Sequence, residues 1–195
     1  MDRETELAIV RRLQDGDPAA FDIVYDEWRA RLFSFLARLS RSRDDADDLL
    51  EETWLRLVTS ARRLRADTRL GPWLFAVARN LYYSACRSRL LDEGCGGQLV
   101  GIWPSGVPRS SPFEELAASE LERRIERALA ALPASDREVL LLVSVDGFSP
   151  AEAAVICEVS AVTLRQRLSR ARGRLRRQLD TIDRPVQRTP SEVIS

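Results

Sequence analysis

Apolar residues recur three and four positions apart through most of the chain, and no segment alternates apolar and polar residues for long, so the pattern predicts an all-α protein. A first helix is predicted over about 3–14, ending at Asp15-Gly16. Asp17-Pro18 then supplies an N-cap and a proline at the first helical position for a longer helix to about Leu39. Phe21, Val24, Tyr25, Trp28, Leu32, Phe35 and Leu39 fall on one face of it. The next helix is expected to open at Asp44 or Asp45, with Ala46, Leu49, Leu50, Thr53, Trp54, Leu57 and Val58 forming its inward stripe. A polar loop, ARRLRADTRLG (61–71), leads to Pro72 and a further helix, PWLFAVARNLYYSACRSRL.

The pattern then breaks. DEGCGGQLVGIWPSGVPRSSP (92–112) holds five of the nine glycines and three of the nine prolines, the composition of a flexible linker, although its centre LVGIW is apolar. Helical spacing resumes from about Pro112. Ser135-Asp136-Arg137-Glu138 and Ser149-Pro150-Ala151-Glu152 both read as capping boxes, and Ser160 can cap the helix after it. Helix 150–157, a turn at Glu158-Val159 and helix 161 to about 178 have the lengths of a helix-turn-helix. The expected architecture is two small helical domains, 1–91 and 114–180, joined by a flexible linker at 92–113. The second domain ends in the helix-turn-helix, and a tail at 181–195 is expected to be disordered.

Charge sharpens this picture. The 30 acids balance the 30 bases, and all of the bases are arginine, as codon bias in a genome rich in G and C would produce. The balance is not local: residues 1–60 carry a net -5, 61–91 carry +6, 92–149 carry -5 and 150–180 carry +4. Two positive blocks on one chain suggest a long polyanion touched twice. No apolar run approaches the roughly 20 residues of a membrane span, and acids stand at the N-terminus where a secretory signal carries bases, so a cytoplasmic location is expected. Cys86, Cys95 and Cys157 are odd in number, widely spaced and without any histidine partner, which fits ordinary reduced thiols and predicts no metal. The chain has no glycine-rich phosphate loop followed by lysine and no Cys/His or Ser/His pair, so neither an enzyme nor a cofactor is expected.

Three segments carry candidate chemistry. In the last helix Leu164, Leu168, Ala171 and Leu175 form an inward stripe, leaving Thr163, Arg165, Gln166, Arg167, Ser169, Arg170 and Arg172 outward, with arginine and glutamine placed as in helices that read guanine and adenine edges. In the helix after Pro72, Asn80, Tyr83 and Arg87 share a face, and aromatics beside arginines suit a single-stranded nucleic acid. In DDADDLLEETWLRL, Asp44, Asp45, Asp47 and Asp48 suit the helix macrodipole, while Glu51 and Glu52 extend the acidic face toward a basic partner protein.

Together these segments resemble a bacterial RNA polymerase sigma factor of the extracytoplasmic-function type, in the sigma-70 family. DDADDLLEETWLRL is similar to that family's region 2.2, PWLFAVARNLYYSACRSR to the signature that follows it, and LAALPASDREVLLLVSVDGFSPAEAAVICEVSAVTLRQRLSRARGRL to region 4.2. The resemblance implies that Asp45, Asp48, Leu49 and Glu52 hold the clamp helices of core RNA polymerase. It further implies that Arg65 and Arg69 in the 61–71 loop, with Asn80, Tyr83 and Arg87, engage the melted -10 element. Arg165, Gln166, Ser169 and Arg170, flanked by Thr163, would read the -35 element, with Arg167 and Arg172 on phosphates. An anti-sigma factor is the further partner it implies, and NLYYSACR is similar to the subgroup associated with general stress responses. The alternative is a sigma-like decoy that sequesters an anti-sigma factor without binding DNA, which has no need of the basic last helix. An ordinary helix-turn-helix repressor would leave residues 1–91 without a role.

Overall fold

A computed structural model of the chain describes residues 1–92, 113 and 119–182. The linker's LVGIW, Cys95 and the tail beyond 182 lie outside the described residues. Eight α-helices make up the fold, with no strand among the described residues: α1 (Arg3–Gln14), α2 (Pro18–Ser40), α3 (Arg43–Ser60), α4 (Leu70–Asp92), α5 (Glu120–Ala130), α6 (Ala134–Leu140), α7 (Pro150–Ile156) and α8 (Ala161–Ile182).

Local signals set most of the helix starts. Asp2 accepts from the Thr5 amide at 3.0 Å and opens α1. Asp17 accepts from the Ala19 amide at 2.9 Å, and Pro18, with no N–H to satisfy, begins α2. The third helix starts a residue earlier than the acids suggest, because the Ser42 hydroxyl takes the Asp45 amide at 3.2 Å and leaves Asp44 and Asp45 in the first turn to meet the macrodipole. The fourth starts two residues before Pro72, and its cap comes from far away in sequence. The buried carboxylate of Glu6 accepts from the Leu70 amide at 2.8 Å and is held by Arg3 at 2.7 Å and Arg69 at 3.3 Å.

Helices α1–α4 pack around Val24, Trp28, Leu32, Phe35 and Leu39 of α2, which meet Leu50, Trp54 and Leu57 of α3 and Leu74, Phe75 and Ala78 of α4. The predicted stripe of α3 is therefore present but narrower than its spacing suggests: Leu49 is half-buried and Val58 is 57% exposed. Helices α5–α8 share a core of Leu129, Val139, Leu142, Ile156, Leu164 and Leu168. Capping boxes at Ser119 and Ser149 open α5 and α7, and Ser160 accepts from the Thr163 amide at 3.0 Å to open α8. The turn between α7 and α8 places Glu158 at φ 54°.

The box expected at Ser135 does not form. The helix begins at Ala134, after Pro133, whose carbonyl accepts from the amides of Asp136 and Arg137 at 3.0 and 2.9 Å. Glu138, the acid that would have reached back to close the box, turns instead to the first half of the molecule and pairs with Arg79 of α4.

The two halves lie against each other along α2 and α4 on one side and α5–α7 on the other. Phe148 seats against Phe75, with ring centroids 4.8 Å apart. Arg137, almost wholly buried, donates to the carbonyls of Leu129 and Leu132 at the end of α5 and also to those of Arg38 and Leu39 at the end of α2, at 3.0 and 2.9 Å. One guanidinium thus satisfies orphan carbonyls of two helix C-termini, one in each half. Burial, with the nearby Arg41 charge adding to it, lowers its pKa to about 10.

Candidate nucleic-acid interface

The α8 face follows from its register. With Leu164, Leu168 and Ala171 buried, the side chains of Arg165, Gln166, Ser169, Arg170 and Arg172 stand in solvent. None of these three arginines is in an ion pair among the described residues, and only Arg170 bends back, donating to the Gln166 carbonyl at 3.3 Å. Thr163 and Arg167 are half-buried. The Thr163 hydroxyl lies 2.8 Å from that of Ser160, so it is engaged in the helix cap, and Arg167 sits close enough to Glu138 to stabilise its charge. Two turns on, Arg174 pairs with the buried Asp136 of α6 and anchors the helix. The result is a row of uncompensated guanidiniums and an amide on the second helix of a helix-turn-helix, a geometry suited to base edges and phosphates in a major groove.

The face of α4 is different in kind. Asn80, Tyr83 and Arg87 come together, as their spacing predicts, and line one cleft with Arg79 and Glu158. Arg79 lies over the Tyr83 ring at 4.6 Å. Burial and the adjacent Glu138 carboxylate push the Tyr83 phenol upward, so it is a neutral donor. Arg65 and Arg69 do not join this cleft. They precede Asn80 by 11 residues or more, roughly 16 Å along a helix axis. There Arg65 pairs with Asp67 at 3.0 Å, while Arg69 contacts Glu6 and, at 3.0 Å, Glu152.

Along α3, Asp48 is exposed, Leu49 half-buried, and Glu52 accepts from Arg56 at 2.9 Å. Asp45 is held in a two-bond pair by Arg89, at 2.6 and 3.1 Å. The sequence reading passed over Leu55, which is 55% exposed and follows Asp48 and Glu52 at helical spacing on the same face. An apolar residue one turn beyond those acids, in register with them, is the signal the sequence carries. The thiols of Cys86 and Cys157 are both pushed upward by burial, Cys157 to about 12, which disfavours the thiolate in each. Among the described residues no cluster of side chains could hold a metal ion, and no helix is long and apolar enough to cross a membrane.

Comparison with known proteins bears on both faces. The family profile described as Sigma-70 region 2 matches residues 24–90, and that described as Sigma-70, region 4 matches residues 122–175. The ECF RNA polymerase sigma factor EcfG of Rhodopseudomonas palustris is 36% identical over 147 residues, spanning 74% of this chain and 76% of that one. The RNA polymerase sigma factor CarQ of Myxococcus xanthus is 30% identical over 180 residues, spanning 92% of this chain and all of the other. Among solved structures, the sigma factor RpoE in complex with the anti-sigma factor NepR from Bartonella quintana is similar with a TM-score of 0.62 at 30% identity, covering 82% of this chain and 97% of that one. The structure of CnrH in complex with the cytosolic domain of CnrY shares the fold, with a TM-score of 0.65 at 20% identity over 90% of this chain.

Proposed function

The chain belongs to the sigma-70 family as an RNA polymerase sigma factor of the extracytoplasmic-function type, and we propose that it directs core polymerase to promoters through three separate surfaces. It is a promoter-specificity subunit, restrained by an anti-sigma factor, and it supplies no catalytic group of its own. It works in the cytoplasm, where its polymerase is. The exposed face of α8 reads the -35 element through Arg165, Gln166, Ser169 and Arg170, with Arg167 and Arg172 on phosphates and Thr163 fixing the start of the helix. The α4 cleft of Asn80, Tyr83 and Arg87, with the more distant Arg65 and Arg69, engages the -10 element as a melted strand. The acidic face of α3, through Asp45, Asp48, Leu49 and Glu52, docks on the polymerase clamp helices.

The observation that carries this reading is the contrast between arginines on one helix. Among the described residues Arg165, Arg170 and Arg172 are in no ion pair, while Arg174 is paired with Asp136. An unpaired row on a recognition helix has DNA as its natural counter-ion, which also disfavours a decoy that never binds DNA. Run-off transcription with core polymerase on a promoter library tests it: transcripts should start from a defined set of -10/-35 sequences. Initiation independent of promoter sequence would overturn the assignment.

A further inference from the structure

Between the arginines that flank the outward face of α8 lies a side chain with no charge and no hydrogen-bonding group. Val162, in the first turn, is 56% exposed. At roughly 100° per residue it falls on the side of the helix opposite the buried Leu164, Leu168 and Ala171, in one row with Gln166 and Ser169. Arg165 stands to one side of this row and Arg170 to the other, both in solvent and in no ion pair among the described residues. The Ser160 and Thr163 hydroxyls lie 2.8 Å apart, and Ser160 accepts from the Thr163 amide at 3.0 Å, so both are taken up in the helix cap. Val162 is the large side chain that the first turn presents forward. A scattered surface valine needs no explanation, but one at the centre of a face built to meet DNA does.

In a helix-turn-helix the N-terminal residues of the second helix meet base edges, and the best partner that the major groove offers an apolar side chain is the C5-methyl of thymine. We propose that Val162 fixes one position of the -35 element as a T·A pair, its methyl groups seated against the thymine methyl. This rests on the assignment of α8 to the -35 element and names the base at one of its positions. A cytosine there would turn its exocyclic amine, and a purine its N7, toward carbon atoms that offer no hydrogen bond, and each would give up water without replacement. Val162 precedes Gln166 by about 6 Å along the helix axis, against about 3.4 Å per base pair, so the thymine lies one or two pairs from the pair that Gln166 meets. Arg165 and Arg170 supply attraction to any duplex, so the valine contributes to preference more than to overall affinity.

The test uses the full chain assembled with core polymerase on a cognate promoter. Each thymine of the -35 element, on either strand, is replaced in turn by deoxyuridine, which deletes the methyl group and keeps the base pair. For the wild type, one of these replacements should lower initiation about fourfold, the effect of one methyl group removed from water. Val162→Ala should lower initiation on the unmodified promoter by about the same factor and lose its response to deoxyuridine at that position. Val162→Ile, which keeps the branched carbon, should retain the response. The position is exposed, so both variants should keep the wild-type urea midpoint. A wild type indifferent to deoxyuridine at every thymine, or a Val162→Ala variant as sensitive as the wild type at the same thymine, would overturn the proposal. Run-off transcription on the promoter library separates this from the assignment beneath it. A defined -35 sequence without any methyl effect removes the valine contact and leaves the proposed function standing, whereas initiation independent of the -35 sequence removes both.

Discussion

Phe75 of α4 and Phe148, just ahead of α7, meet edge to face at an interplanar angle of 74°. The guanidinium of Arg31 on α2 lies 6.0 Å from the first ring and 5.8 Å from the second. The contact between the halves therefore has an apolar centre and an ionic rim. Phe148→Ala should cost the closed molecule roughly 3–5 kcal/mol, the usual loss for a buried phenylalanine. Denaturant unfolding followed by tryptophan fluorescence gives the loss, and scattering shows where it falls. A lower midpoint with no change in radius would mean that Phe148 serves only the core of its own half.

Gly71, in the first turn of α4, is required by the ring of Trp28. A Cβ built on it would stand 2.5 Å from the edge of that indole, closer than real contacts come, so the buried ring must shift to admit it. Gly71→Ala is therefore expected to destabilise by about 1–3 kcal/mol despite alanine's better helix propensity. A thermal unfolding midpoint equal to the wild type's would refute this.

Asp146 predicts a pH dependence. Its side chain is 6% exposed, one oxygen lies 3.8 Å from Arg31, and the other has no hydrogen-bond partner among the described residues. Arg31 and Arg38 of α2 are the charges that favour its ionised form, yet burial wins and pushes its carboxyl from the ordinary 3.8 to about 7. The folded-state pKa lies above the unfolded one, so the native molecule binds the proton more tightly. The contribution to stability is thus full below about pH 4 and is lost as pH rises through about 7. Asp146→Asn should flatten that slope and stabilise the chain near pH 8 by about 1–2 kcal/mol. Urea titrations across this range test the sign, and a variant whose stability falls with pH as steeply as the wild type's would contradict it. Glu138, raised in the same direction, leaves a residual slope.

What could be read from the chain alone was what short-range signals encode. Ser149, Pro150 and Glu152 announce α7 within four residues, and the Leu164, Leu168, Ala171 stripe fixes which side of α8 faces out, so the helix-turn-helix and its outward arginines were legible. Long-range partners were not. Glu138 has the spacing of a capping-box acid, and nothing near it says that its partner stands 59 residues earlier in α4. Arg174 looks like its neighbours in a basic run until the fold brings Asp136 to it. Val58 and Leu55 are both apolar at plausible positions on α3, but only the placement of α2 and α4 shows that both remain exposed.

The last distinction gives the sharpest test of the α8 assignment. Arg165 and Arg174 belong to the same helix and the same basic run, but the first is exposed without an ion pair among the described residues, while the second neutralises an Asp136 that is 8% exposed. Arg165→Ala should leave stability within about 0.5 kcal/mol of the wild type, as surface substitutions do. It should weaken initiation at a cognate -35 element by the equivalent of one base contact, roughly 1–3 kcal/mol, and relax the preference at a single promoter position. Arg174→Ala should do the reverse, costing about 1–3 kcal/mol of stability by leaving a buried carboxylate without its partner. Its promoter preference should stay unchanged wherever the chain remains folded. Run-off transcription on promoters randomised at the -35 element, paired with urea unfolding of both variants, measures the two effects on separate axes. If Arg165→Ala kept the wild-type -35 preference, α8 would touch DNA only through its phosphates, and base reading would have to be reassigned to another element.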